Sequence, residues 1–173
     1  VDNSVLMVLD TQDNMFDEEF SVHDPEGILA RLEDLISSAK QSNVPVIFVR
    51  NNGGEGEPDE PGTPGWELHS RIRPEIEEDV IDKTSSDAFD GTDLEDRLHR
   101  SGINHLFVAG MQTEMCVRTT CLSALEKGFN VTLVEDAHTT FDFDEQTAID
   151  AIEVLNSELR SIANVSPASQ IAF

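Results

Sequence analysis

The chain of 173 residues is long enough to bury a hydrophobic core in one domain without metal or disulfide support. Its 35 acidic residues stand against 11 basic ones, a formal net charge of −24 that excludes binding to nucleic-acid phosphates and implies self-repulsion in dilute buffer. No run of about 18 apolar residues marks a membrane-spanning helix, and two cysteines make no disulfide framework.

In chain order, VDNSVLMVLD lacks the basic start and long apolar run of a leader and reads as a strand, centred on 4–10; a cytoplasmic protein is expected. Residues 25–42 place Ile28, Leu29, Leu32, Leu35, Ile36 and Ala39 at helical spacing, with Asp24 as cap and Pro25 in the first turn. VPVIFVR (44–50) is a second strand, and the Gly/Pro-rich NNGGEGEPDEPGTPGW that follows is a loop. DVIDK (79–83) is a short strand, and Thr92 opens a helix that Gly102 closes. HLFVAG (105–110) is a strand, 114–127 a helix stopped by Gly128, and NVTLVED (130–136) another strand. Residues 145–161 form the last helix, with Ala148, Ile149, Ile152, Leu155 and Leu159 on one face.

Neither an internal repeat nor a linker interrupts the pattern, so residues 1–173 read as one domain. Alternating aliphatic strands and amphipathic helices predict a parallel sheet covered by helices on both faces. The acids are spread through nearly every segment rather than gathered in a tail, which favours a folded protein with a salt-adapted surface, as in a halophile, over a disordered acidic chain.

A ligand site in such a fold lies beyond the C-terminal strand ends. Asp10 ends the first strand, Asn51 and Asn52 follow the second, Lys83 ends the third, and the turn from Gly110 to Cys116 follows the fourth. A carboxylate, a cation and a thiol are thereby expected at one edge. Cys116 at a helix start would feel the positive end of the dipole, and Lys83 nearby would lower its pKa. Asp10 would take the thiol proton, and backbone N–H groups around Gln112 and Cys116 would hold an oxyanion. Alone, a cysteine at a helix start is more often packing than catalysis.

LDTQDNMF, DKTSSDAFDGTDLEDRL and VAGMQTEMCVRTTCLSALEKGFNVTLVEDA resemble, in the right order, three signature blocks of the isochorismatase-like cysteine hydrolases, and GTPGWELH adds to the likeness. The resemblance runs from about Val5 to Thr140. It implies a three-layer α/β sandwich with a mostly parallel sheet of about six strands and an Asp-Lys-Cys triad of Asp10, Lys83 and Cys116. It also implies a non-proline cis peptide at Met111-Gln112 and a homo-oligomer, a dimer or larger. Nicotinamidases of the superfamily carry an Asp/His metal site after the second strand; the corresponding stretch here has no histidine before His69, so neither metal nor other cofactor is expected.

Cys121, five residues on and on another side of the helix, reads as core; the two Cα atoms would lie about 8 to 9 Å apart, beyond disulfide reach. Lys83 is one of only three lysines, with Lys40 and Lys127, and that rarity favours a specific role. Gln12 is a candidate to orient substrate. Trp66 either walls the substrate pocket or anchors the loop, and Phe16 and Phe89 pose the same choice, with core packing the safer reading. His138 reads as structural. These readings point to a hydrolase that cleaves a small amide, imide or related C–N compound through a covalent Cys116 intermediate. Its rivals are vinyl-ether hydrolysis of an isochorismate-like acid and a binding protein that keeps the fold without turnover.

Overall fold

A computed structural model describes residues 3–75 and 78–173; the first two residues of the VDNSVLMVLD stretch lie outside the described residues. The described residues form one parallel six-stranded sheet: β1 (Ser4–Leu9), β2 (Val46–Asn51), β3 (Asp79–Lys83), β4 (His105–Met111), β5 (Asn130–Thr139) and β6 (Asn164–Ser166), in the order β3-β2-β1-β4-β5-β6. Four α-helices accompany it among these residues: α1 (Pro25–Gln41), α2 (Leu94–Arg100), α3 (Arg118–Glu126) and α4 (Ala148–Leu159).

The aliphatic run of β1 is central because both of its faces are covered. Leu6 and Val8 join Phe48, Phe107 and the buried stripe of α1, while Val5, Met7 and Leu9 face a core of Leu94 and Leu98 from α2, Cys121 and Ala124 from α3, and Leu155 and Leu159 from α4. Side chains alternate across a strand, so a continuous apolar strand needs helices on both sides. From β1 the chain moves outward to β2 and β3, then returns to β4 on the other flank. That reversal between β1 and β4 opens the crevice in which α/β sheets hold ligands.

Several element ends differ from expectation. β1 stops at Leu9 because Asp10 takes a left-handed backbone, φ 48°. The second strand starts two residues later than expected, at Val46. α2 begins at Leu94 rather than Thr92, whose hydroxyl donates to Ala88 O (2.6 Å) and accepts from Leu94 N (3.3 Å). The helix expected from residue 114 opens as a π-helical turn, Thr113–Val117, before α3. β5 runs on past Asp136 to Thr139. α4 starts at Ala148 behind Thr147, which caps Asp150 N at 3.1 Å. Its buried stripe is Ala148, Ala151, Leu155 and Leu159, and Ile149, a step of about 100° round the helix from Ala148, stays 51% exposed. Asp24 does precede α1, but its carboxylate pairs with Arg31 instead of capping the helix.

Candidate active site

Asp10, Lys83 and Cys116 come from three separate strand ends and meet at the C-terminal edge of the sheet. Asp10 follows β1, Lys83 is the last residue of β3, and Cys116 sits in the π-turn after β4. Gly110 makes the approach possible. It lies opposite Leu9 with φ 119°, and a Cβ there would fall 2.2 Å from Leu9 O, so only glycine lets the end of β4 press against β1. The peptide bond between Met111 and Gln112 is cis, at the position the resemblance implies.

Lys83 Nζ lies 2.8 Å from Asp10 Oδ2 and 3.4 Å from Cys116 Sγ, with the lysine and aspartate side chains almost wholly buried. Its third contact is Asn51 Oδ1 at 3.2 Å. Asp10 Oδ1 is buried without a well-formed hydrogen bond. Of the three groups, Cys116 alone is partly open to solvent.

Burial pushes the Asp10 carboxyl above its ordinary value, and the Lys83 charge beside it pulls down without cancelling that push. Burial works against the Lys83 ammonium too, but Asp10 and Cys116 outweigh it and hold the lysine above its ordinary value. The thiol departs from the sequence-based expectation. Burial and then the facing Asp10 charge push Cys116 up to about 12; Lys83 lowers it, as expected, but loses to both. These shifts favour a protonated thiol beside the Lys83–Asp10 pair.

The residues considered for substrate binding take different places. Gln12 is fully buried and its amide is used up by main chain: Nε2 donates to Asn51 O (2.9 Å) and Trp66 O (3.1 Å), and Oε1 accepts from Asn51 N (2.8 Å). With β1 ended at Leu9, it clamps the loop to β2. Trp66 anchors the same loop, donating Nε1–H to Asn52 Oδ1 (2.7 Å) beneath the Arg50 guanidinium, 3.4 Å from the ring centre. Phe16 packs on His69 at 4.8 Å. Phe89 lies in the core on the α2–α4 face, stacked on Phe129 at 5.9 Å, so its place is packing. Cys121 is fully buried in that same core.

Two groups near the thiol were given no role from sequence. Glu114, in the π-turn, accepts from Thr140 Oγ1 at 2.9 Å and keeps its other oxygen buried without a partner. Asn51 touches Lys83 and donates Nδ2–H to Asp59 Oδ2 at 2.6 Å. Asn51, the last residue of β2, was read at that edge as following the second strand, but its partner Asp59 is eight residues on in an irregular loop. Among the described residues, no three His, Cys, Asp or Glu side chains converge as metal ligands.

Known proteins share this arrangement of fold and sequence. The chain is 39% identical over 137 residues to a streptothricin hydrolase of Streptomyces noursei, covering 79% of the chain and 54% of that protein, so it spans about half of the relative's length. It is 33% identical to the isochorismatase family protein YddQ of Bacillus subtilis, covering 79% of the chain and 78% of the relative. A crystal structure of an isochorismatase from Pseudomonas putida superposes with a TM-score of 0.92 at 26% identity, covering 99% of this chain and 91% of that one. The isochorismatase domain model matches residues 4–164, a span that takes in every strand of the sheet but the last two residues of β6 and holds Asp10, Lys83 and Cys116; the chain belongs to the isochorismatase family.

Proposed function

We propose that the chain is a cysteine hydrolase that cleaves a small amide, imide or related C–N bond through a covalent intermediate on Cys116. The observation that carries this reading is the single ammonium of Lys83, in contact with both the Asp10 carboxylate and the Cys116 sulfur. A thiol pushed up to about 12 cannot act as a free thiolate at neutral pH, so its proton must leave during attack. Asp10, held above its ordinary value and close to the thiol, is the group to take it, and Lys83 then pairs with the sulfur as its charge develops.

The steps balance on these three side chains. Sulfur bonds to the carbonyl carbon while the thiol proton passes to Asp10, and backbone N–H groups of the Gln112–Cys116 turn receive the developing oxyanion. The C–N bond breaks as Asp10 gives that proton to the departing nitrogen. Asp10, a carboxylate again, takes a proton from water; the hydroxide adds to the thioester, and the sulfur leaves and recovers its proton from Asp10.

A screen of small amides, imides and vinyl ethers in molar KCl tests the reading, and streptothricin belongs among the amides because a relative is named for hydrolysing it. Turnover of an amide that falls on the order of a thousandfold or more in Cys116→Ala is the expected result. Full activity of Cys116→Ala, or turnover confined to vinyl ethers, would move the reaction to acid catalysis by Asp10. No turnover of any class would favour a binding protein.

A further inference from the structure

An ammonium has three N–H bonds, and Lys83 has three acceptors around it. Two belong to the proposed reaction, Asp10 Oδ2 at 2.8 Å and Cys116 Sγ at 3.4 Å; the third is Asn51 Oδ1 at 3.2 Å. Asn51 cannot drift, because the Gln12 side chain holds both its backbone N–H (2.8 Å) and its C=O (2.9 Å). Its amide has still to choose which end faces the lysine. A flip would set NH₂ against the ammonium, donor against donor.

Asp59 makes that choice. As an acceptor it takes Asn51 Nδ2–H at 2.6 Å, which leaves Oδ1 for Lys83. The loop is shaped to deliver this carboxylate. Asp59 O accepts from Gly53 N at 2.9 Å, and a Cβ on Gly53 would stand 2.1 Å from Asp59 Oδ1, in space that the carboxylate fills. Asp59 also acts at a distance, since its charge adds to the upward push on Asp10.

We propose that Asn51 and Asp59 are positioning residues for the triad: Asp59 orients the Asn51 amide, and Asn51 holds Lys83 so that its two other N–H bonds face the Asp10 carboxylate and the Cys116 sulfur. The proposal rests on the cysteine-hydrolase reading, and it assigns the loop after β2 a part in tuning the thiol. Loss of Asp59 frees the amide to flip, and loss of Asn51 frees the ammonium to turn.

Alkylation of Cys116 by iodoacetamide, followed by peptide mass across pH 6 to 10, reads the thiol without any substrate, with buried Cys121 as an internal control for unfolding. Asp59→Ala and Asn51→Ala are expected to slow alkylation about ten- to a hundredfold, and kcat on the amide found in the screen by a similar factor, with KM within about twofold. Asp59→Asn can still accept from Asn51, so it should recover most of the alkylation rate. Having lost a negative charge near Asp10, it should also move the acid limb of the activity profile to lower pH. A parental rate and pH profile in Asp59→Ala would overturn the proposal. So would equal losses in Asp59→Asn and Asp59→Ala, or labelling of Cys121, which would make the pair loop packing alone. The two readings fail separately: full turnover in Cys116→Ala removes the cysteine-hydrolase reading, whereas the alkylation series judges the hold on Lys83 whichever reaction is catalysed.

Discussion

Burial and the facing Asp10 charge push the Cys116 thiol up to about 12, so in the proposed reaction its nucleophilicity has to be made when a substrate arrives. In the proposed reaction Asp10 works as a carboxylate, and its carboxyl is held above the ordinary 3.8. Activity is therefore lost as pH falls through that raised value, earlier than an unperturbed aspartate would dictate. A profile of kcat/KM against pH whose acid limb lies in the ordinary aspartate range would contradict this. Asp10→Asn and Lys83→Met each strand one buried charge, and each should cost about 3 to 5 kcal/mol in urea unfolding. The double variant should cost less than the sum, because neither charge is then stranded; additive losses would mean that the 2.8 Å pair is not coupled. At this scale the meeting of Asp10, Lys83 and Cys116 was legible because each lies at or just beyond a strand end, where parallel topology brings residues together. The direction of the Cys116 shift was not, since it depends on burial and on how close Asp10 lies. Nor was the role of Gln12, whose amide is taken up by backbone groups of residues 51 and 66.

His138 joins three elements. It stands in β5, its Nδ1 lies 2.9 Å from Thr113 Oγ1 in the π-turn, and its Nε2 lies 3.1 Å from Asn156 Oδ1 in α4. Asn156 spends its Nδ2–H on Glu135 O (3.0 Å), so its oxygen is the end that accepts from the ring, and His138 is neutral with the proton on Nε2. Burial lowers its pKa to about 4 from 6.5. The unfolded chain then binds a proton at this residue below about 6.5 while the folded chain does not until about 4, so stability falls as pH drops through that window, by about 3 kcal/mol when complete. The stability difference between the parent and His138→Gln should change with pH over that window and be flat above it; a constant difference would mean the histidine titrates normally. A lone histidine reads as structural from sequence, and its partners here are side chains of the π-turn and α4. The alternation of strands and helices was equally legible. Three-residue β6 was not, being half exposed and too short for any period to show, and the π-turn hides inside a helical pattern because it changes hydrogen-bond spacing more than residue type.

All three lysines are already paired: Lys40 with Glu75 and Glu78, Lys83 with Asp10, and Lys127 with Glu95. The exposed pairs of Lys40 and Lys127 contribute about 0 to 1 kcal/mol each, too little to offset a net charge of −24. Salt weakens those pairs but screens the far more numerous acid–acid repulsions, whose range falls to about 3 Å near 1 M. The thermal midpoint is accordingly expected to rise markedly from dilute buffer to molar KCl, and a flat curve would remove the idea of a salt-adapted surface. Acidic surfaces associate only once screened, so light scattering in molar salt should show a dimer or larger species, and a monomer at every salt concentration would contradict it. Net charge and its even spread were plain in the sequence; which faces meet in an assembly depends on surface shape that residue types alone do not encode.

In the proposed reaction Cys116 becomes covalently attached to the acyl part of the substrate. Turnover of the amide found in the screen, quenched with acid and read by peptide mass, tests it most directly. The acyl mass is expected on the peptide that carries Cys116 and on no other, accumulating further wherever the water step is slowed. Active turnover with an unmodified Cys116 peptide, together with full activity in Cys116→Ala, would contradict it.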